Sequence, residues 1–258
     1  MTFPLKRTFA AAALLGLAAT AQANDPLKVG ISGEPYPPFT FKAASGDWTG
    51  FEVDLALALC DAMGRDCEIT PTGWSGIIAS LNAERIDMIM NSMSITAKRQ
   101  RVIDFTRPYY FTPGAYVAAD DREMTSPEDL DGLVMGVQAA TTNATYARRA
   151  LRDSGVDIRI YNQAEQVNND LLSGRLDVIL ADEIAMVQFL DRDEAEGFEI
   201  KATAPRHEAY GEGVGIGLRQ ADDELEASLN AAIATVIDDG TCASLSEQYL
   251  GTDVCVYD

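Results

Sequence analysis

The stretch with the most chemical potential covers residues 91–101 and combines hydroxyls, one amide and an arginine. It follows the apolar run at residues 86–90, which is typical of a buried strand. Thr96 is a good N-cap, and the residues after it favour a helix. Arg99 would lie in the first turn, where its charge opposes the helix dipole unless an anion binds there. The stretch therefore predicts a carboxylate site at Arg99, and an ordinary exposed helix start is the alternative.

A carboxylate ends the corresponding strand in the second half of the chain. Residues 85–90 and 175–180 share the pattern Arg-apolar-Asp-x-Ile-apolar, each time after a predicted helix. The second copy runs on to Asp182. Because the surrounding elements also occur in the same order, the motif predicts two similar lobes rather than a tandem array.

Strands and helices must alternate to position these side chains. Predicted strands at residues 27–31, 67–70 and 86–90 are separated by helices at residues 51–63 and 74–81. This order predicts a parallel sheet covered by helices, with ligands at the carboxyl ends of the strands. Six side chains fall at or just past those ends: Glu34, Tyr36, Trp74, Ser92, Ser94 and Arg99.

The second half repeats this scheme and then changes character. Strands are predicted at residues 133–137, 157–161 and 175–182, and Thr141 and Thr142 are two possible N-caps for the first helix between them. Residues 211–218 alternate glycine with apolar side chains, as a close-packed strand does. The amphipathic helices that follow Asp222 have no sheet of their own, so we expect them to cover the first lobe.

Composition and charge limit the possible functions. The chain has 258 residues with 47% hydrophobic and 23% charged side chains, the balance of a globular protein. Its net charge of -20 argues against nucleic acid as a partner. Lys6 and Arg7, the apolar run at residues 9–19 and the Ala-Gln-Ala site at residues 21–23 predict a cleaved signal peptide. No cysteine lies near that site, so the sequence predicts an exported protein without a lipid anchor of the bacterial lipoprotein kind.

Four cysteines in an exported protein favour disulfides. Cys60 and Cys67 are close in sequence, between a predicted helix and the next strand, and Cys242 and Cys255 would then pin the C-terminal tail. Four cysteines allow three pairings, and proximity in sequence is the basis for this one. Free buried thiols are the alternative.

Several segments, taken in order, resemble the polar amino-acid family of bacterial periplasmic solute-binding proteins. The resemblance covers the mature chain and is greatest to the lysine/arginine/ornithine- and histidine-binding proteins, which have a local disulfide at the place of Cys60 and Cys67. The segments that carry the resemblance are residues 50–55, 92–100, 104–106, 109–110, 174–182 and 214–219.

The resemblance implies an α/β clamshell of two lobes, each a mixed, mainly parallel sheet flanked by helices, joined by two hinge crossovers. Lobe 1 would contain residues 24–112 and 208–258, and lobe 2 residues 113–207. The protein would be a monomer without cofactor or metal that delivers one amino acid to an ABC permease in the inner membrane.

The resemblance also implies a role for each candidate ligand-binding residue. Arg99 would bind the ligand carboxylate with N–H groups near Ser94 and Thr142. Asp182 and Ser92 would bind the ammonium group. The remaining candidates are two aromatic residues around the ligand side chain, Tyr36 and Trp74, and four polar ones, Glu34, Asn91, Gln138 and Thr141.

Departures from the family pattern leave the ligand open. Relatives that bind basic amino acids have an Asp in the first loop, where Glu34 is the only acid here. Asn91 and Gln138 stand where relatives have a serine and an apolar residue, which adds amides to the pocket. We rank a basic amino acid first, then another polar amino acid, then an opine.

An enzyme is the alternative from another class. Some relatives are periplasmic dehydratases that act on cyclohexadienyl substrates, and such an enzyme needs a general acid near its pocket. Glu34 and Asp182 are candidates, and His207 is the only histidine. The sequence has no metal-ligand cluster, nucleophile elbow or phosphate loop, so we expect a binding protein rather than an enzyme.

Overall fold

The computed structural model describes residues 25–124 and 126–255, and the predicted signal peptide lies outside them. The strands are β1 (Leu27–Ser32), β2 (Phe41–Lys42), β3 (Trp48–Thr49), β4 (Cys67–Thr72), β5 (Met88–Ile89), β6 (Asp104–Phe105), β7 (Gly114–Ala119), β8 (Val134–Gln138), β9 (Asp157–Tyr161), β10 (Val178–Asp182), β11 (Phe198–Thr203) and β12 (Gly217–Leu218). The helices are α1 (Phe51–Met63), α2 (Ile77–Asn82), α3 (Thr142–Ala150), α4 (Ala164–Leu172), α5 (Glu183–Leu190), α6 (Asp223–Asp238) and α7 (Thr241–Leu250).

Two five-stranded sheets form the frame. Their orders are β4-β1-β5-β12-β6 and β11-β7-β10-β8-β9. In each sheet four strands point one way, and one strand, β12 or β7, runs against its neighbours. The prediction of two lobes with mixed, mainly parallel sheets is therefore confirmed. We call the first sheet with its helices lobe 1 and the second lobe 2, and their predicted residue boundaries stay a prediction.

Helix α1 shows how the sequence builds lobe 1. Its apolar residues, including Phe51, Leu55 and Leu59, are buried, and α6 and α7 pack against it. The helix ends at Gly64, whose φ of 64° suits glycine. The C-terminal helices thus return to lobe 1, as expected. No helix in residues 25–124 or 126–255 combines the length and apolar character needed to cross a membrane.

Both predicted disulfides are present. Cys60–Cys67 joins α1 to β4, and Cys242–Cys255 joins α7 to the C-terminal tail. The Cα atoms of the two pairs lie 6.2 and 6.0 Å apart, within the usual range for a disulfide. The proposed pairing is therefore confirmed.

The prediction of a helix after Thr96 is wrong. Residues 97–102 form turns in which the Gln100 N–H donates to the Thr96 carbonyl oxygen (2.9 Å) and the Val102 N–H to that of Arg99 (2.9 Å). Buried Ile103 then leads directly into β6, so too few residues remain for a helix. The argument from a helix dipole at Arg99 therefore does not apply.

Two other predicted elements are shorter than expected. The strand at residues 211–218 contains only β12, because Val214 makes single bridges to Ser94 and Tyr110 instead of a continuous ladder. The helix at residues 74–81 is a 3₁₀ turn at Trp74–Gly76 followed by α2. Both departures occur where the chain passes close to the candidate site, and contacts with distant segments set the backbone there.

Candidate functional site

A cavity lies between the two lobes. All eleven side chains predicted to bind ligand line it: Glu34, Tyr36, Trp74, Asn91, Ser92, Ser94, Arg99, Gln138, Thr141, Thr142 and Asp182. Ser32, Pro35 and Ala164 also line the cavity and were not among the candidates. The structure therefore brings the candidates together, and their role in binding stays a prediction.

Arg99 forms the cationic wall of the cavity. Its Nη1 donates to the carbonyl oxygen of Ser94 (2.7 Å), and its Nη2 donates to that of Ala140 in the other lobe (3.2 Å). The guanidinium lies 5.5 Å from the ring centre of Trp74. Burial lowers the pKa of Arg99 to about 10, although the charge of Asp182 opposes the change. Arg99 is thus a charged, poorly solvated group at neutral pH, and an anion in the cavity would be attracted to it.

Asp182 forms the opposite, anionic wall at the end of β10. Its Oδ1 accepts from Asn143 Nδ2 (2.9 Å), and its Oδ2 accepts from the Tyr36 hydroxyl of lobe 1 (2.9 Å). Burial raises the pKa of Asp182, whereas these hydrogen bonds and the charge of Arg99 lower it. Asn143 was missed in the sequence, although its place beside the candidate N-caps of α3 was a usable signal.

The aromatic candidates connect the lobes across the cavity. Trp74 Nε1 donates to the carbonyl oxygen of Ala139 (3.1 Å). Together with the contacts Tyr36–Asp182 and Arg99–Ala140, this hydrogen bond holds the two lobes against each other. Burial also raises the pKa of Tyr36 well above its usual value, so its hydroxyl stays a donor. The arrangement is a closed cleft.

The polar candidates differ in how much of their hydrogen-bonding capacity is already used. Asn91 Oδ1 accepts from the Ser32 N–H (2.7 Å), and Thr141 Oγ1 accepts from the Ala144 N–H (3.0 Å) as the N-cap of α3. The Glu34 carboxylate accepts from Ser32 Oγ (2.8 Å) at the cavity wall. Asn91 and Thr141 thus brace the backbone that carries the site.

Ser92 is the most unusual residue at the site. Its φ is 50°, a left-handed conformation that is uncommon for a residue other than glycine. Its Oγ is buried and lies next to the hydroxyl of Tyr110. Uncommon backbone conformations are often found at binding sites, and Ser92 combines one with a position on the wall of the cavity.

Beneath Ser92 lies a buried acid, Glu52, that the sequence did not single out as a site residue. Its two carboxylate oxygens accept from the hydroxyls of Tyr109 and Tyr110, both at 2.7 Å. Burial raises the pKa of Glu52 from 4.5 to about 7, despite these bonds. The sequence signal was ambiguous, because an acid in the first turn of a helix is ordinarily exposed.

Of the three candidates for enzyme chemistry, Glu34 and Asp182 line the cavity and the third does not. His207 does not line the cavity, and its Nδ1 accepts from the Ala209 N–H (3.0 Å) next to a crossover between the lobes. Within the described ranges, 25–124 and 126–255, no group of three or more His, Cys, Asp or Glu side chains could hold a metal ion. The cavity offers a cation, a carboxylate and aromatic faces, which suit the binding of a zwitterion.

Two sheets joined by crossovers, with charges of opposite sign facing one interlobe cavity, define the class of two-lobed binding proteins. The chain belongs to the bacterial extracellular solute-binding proteins, family 3, whose family model matches residues 27–252. It is 36% identical to the L-arginine-binding protein of Pseudomonas aeruginosa, over 91% of this chain and 92% of that protein. It is 35% identical to the lysine/arginine/ornithine-binding periplasmic protein of Escherichia coli, over 96% and 98% of the two chains.

Solved structures agree with this assignment. An ancestral arginine-binding protein bound to arginine has a TM-score of 0.81 and 30% identity, over 88% of this chain and 98% of that one. An ancestral amino acid-binding protein described as a precursor of cyclohexadienyl dehydratase has a TM-score of 0.76 and 29% identity, over 87% and 95%.

Proposed function

We propose that this protein binds a basic L-amino acid between its lobes in the periplasm and delivers it to an ABC permease. One observation carries the proposal: Arg99 of lobe 1 and Asp182 of lobe 2 face the same cavity. A zwitterion needs a fixed cation for its carboxylate and a fixed anion for its ammonium group, and here the proposed partners of these two groups lie on opposite lobes. Binding would therefore favour the closed state, which a permease could distinguish from the open one.

The preference for a basic side chain rests on Glu34 and the two aromatic residues. Tyr36 and Trp74 line the cavity with flat faces that suit a cationic or planar group. Glu34 is the acid of lobe 1 on this cavity wall and would meet a distal cation. The arginine- and lysine-binding relatives support the same ligand class.

A thermal-shift panel tests the proposal. The protein is first unfolded and refolded to remove any co-purified ligand, and then mixed with the common amino acids, ornithine, citrulline, opines and prephenate. A ligand at 100 times its dissociation constant stabilises by about 2.7 kcal/mol, which raises Tm by roughly 5–10 °C. Shifts with lysine, arginine, ornithine or histidine alone support the proposal. A shift with prephenate alone, followed by product formation, would instead support a dehydratase.

An opine is a further candidate ligand, because a second cavity adjoins the first. This second cavity shares Tyr36, Gln138 and Asp182 with the first. Its other walls include Val167 and Met186. The α-nitrogen of the ligand would bind Asp182, and a substituent on that nitrogen would extend into the second cavity. An opine that shifts Tm more than its parent amino acid would favour this candidate over a plain amino acid.

A further inference from the structure

A groove beside the binding cavity concentrates positive charge in an acidic protein. The chain has 20 basic and 40 acidic residues, yet five basic residues and one acid line this groove. Arg99, Thr141 and Thr142 line both the groove and the binding cavity. The charged residues of this basic groove are Lys98, Arg99, Arg101, Arg148, Arg149 and Glu208.

Most of this charge is not neutralised by the protein. Arg149 Nη1 pairs with Glu208 Oε1 at 3.0 Å on the surface. Lys98, Arg101 and Arg148 are exposed, and none of them has an ion-pair partner in the part of the chain that the structure describes. A groove lined by charges of one sign produces a local field that attracts ions of the opposite sign.

The two lobes contribute to the groove from opposite sides. Lys98 and Arg101 belong to the turns between β5 and β6 of lobe 1, and Arg148 and Arg149 belong to α3 of lobe 2. The hydrogen bond from Arg99 to Ala140 joins the lobes at this place. Closure therefore brings like charges toward one another, and their repulsion opposes the closed state.

We propose that the basic groove binds a multivalent oxyanion of the phosphate class, and that this anion strengthens ligand binding by stabilising the closed cleft. An anion between the two sets of cations relieves the repulsion only when the lobes are together. It therefore binds the closed state better than the open state. By linkage, the anion and the amino acid then raise each other's affinity by the same factor.

A free oxyanion fits this groove better than a phospholipid head group does. The two present the same phosphate chemistry. However, a protein of net charge -20 is repelled by an anionic membrane surface, whereas a small anion reaches the groove alone.

Calorimetry with pyrophosphate tests the proposal directly. Pyrophosphate is titrated into the refolded mature protein at constant ionic strength, first alone and then with saturating L-arginine. L-Arginine is also titrated with and without pyrophosphate. We expect pyrophosphate to bind in both experiments and to tighten L-arginine binding by about fivefold, at the lower end of typical couplings. The titration with pyrophosphate alone does not depend on the identity of the amino acid.

A double variant and a matched control distinguish a site from general screening. Lys98→Gln with Arg148→Gln should abolish pyrophosphate binding and its effect on L-arginine. Arg85→Gln with Arg107→Gln removes the same charge from exposed positions that do not line the groove and should change neither. Equal pyrophosphate binding by both double variants would overturn the proposal, as would an equal effect of sodium chloride. Binding only to vesicles of phosphatidylglycerol would overturn the choice of a free anion.

Discussion

Lobe 1 and lobe 2 share a frame but place their carboxylates differently. In lobe 1, Asp87 Oδ2 accepts from the Lys28 N–H (2.9 Å), while the Asp87 N–H donates to the Lys28 carbonyl (2.8 Å). In lobe 2, Asp177 and Val134 make the same two contacts, both at 2.9 Å. The repeated sequence motif therefore locks the start of one strand to its neighbour in each lobe.

In both lobes, an apolar side chain of the repeated motif packs against a glycine of the neighbouring strand. A Cβ atom on Gly30 would overlap Cδ1 of Ile86, and a Cβ atom on Gly136 would overlap Cδ1 of Leu176. Ile86 and Leu176 occupy the same position of the repeated motif. The absence of a side chain on these glycines leaves room for Ile86 and Leu176. The two sheets therefore pair the same two strands in the same way.

The lobes differ where the strand and the next helix meet the cleft. Each lobe has a buried polar residue at the second position of a helix, Glu52 in α1 and Asn143 in α3. Lobe 1 has a buried carboxylate on the helix, Glu52 next to Ser92, whereas lobe 2 has one at the strand end, Asp182, which Asn143 supports. The same arrangement of strands and helices thus presents Arg99 and the Ser92 hydroxyl to the cavity in lobe 1, and Asp182 in lobe 2.

The largest predicted effect follows from removing the cationic wall. Arg99→Ala should weaken ligand binding by about 2–5 kcal/mol, because the ligand carboxylate is then buried without its partner. The Tm of the ligand-free protein should hardly change. Calorimetry measures the loss, and Arg107→Ala, on the exposed surface, is the control. Retained affinity would show that Arg99 does not bind the carboxylate.

The next prediction tests whether Glu52 of lobe 1 is buried and has a raised pKa. Because the pKa of Glu52 rises from 4.5 to about 7, the folded protein binds more protons than the unfolded chain between those pH values. Glu52 therefore lowers the free energy of unfolding as pH rises from about 4.5 to about 7, by about 3 kcal/mol in full. Glu52→Gln cannot ionise and should lack this decrease.

Urea unfolding of both proteins from pH 4 to pH 8 measures this difference. The stability of Glu52→Gln relative to the original protein should increase with pH over that range. Glu68→Gln, which removes an exposed acid of lobe 1, should follow the original protein. Parallel stability profiles for Glu52→Gln and the original protein would contradict the buried, ionisable Glu52.

Because Asp87 and Asp177 make the same contacts in the two lobes, we expect their replacement to lower the free energy of unfolding equally. Asp87→Asn and Asp177→Asn each weaken a charged hydrogen bond to a backbone N–H and an ion pair, to Arg219 and Arg122 respectively. Both ion pairs are partly exposed, so we expect each variant to lose only about 1–2 kcal/mol in urea unfolding. Asp153→Asn, on the surface, should lose little. Clearly unequal losses would mean that the repeated motif has different roles in the two lobes.

Much of this arrangement was predictable because it depends on local pattern. Strand ends can be read from apolar runs, and parallel sheets bring those ends together, so six of the lining residues could be found in this way. The other candidates were named with the help of the family resemblance. Residues 97–102 and Glu52 were not predictable in the same way. The hydroxyls that hold Glu52 come from Tyr109 and Tyr110, 57 and 58 residues away. Helix propensity after Thr96 was overridden by the nearby strand β6.

The smallest predicted effect concerns the ligand side chain, which lobe 1 would select through Glu34. Glu34 lies on the cavity wall and accepts from Ser32 Oγ, so its charge faces both protein and cavity. Glu34→Gln keeps the shape of the side chain and removes the charge. Because a partly solvated ion pair contributes about 1 kcal/mol, we expect about a fivefold loss of affinity for lysine or arginine and almost none for citrulline. Calorimetry with arginine and citrulline gives the comparison directly, since the two ligands differ in charge but little in shape. Equal losses for both would place the selection of the side chain elsewhere in the cavity and leave lobe 1 with only the ligand carboxylate.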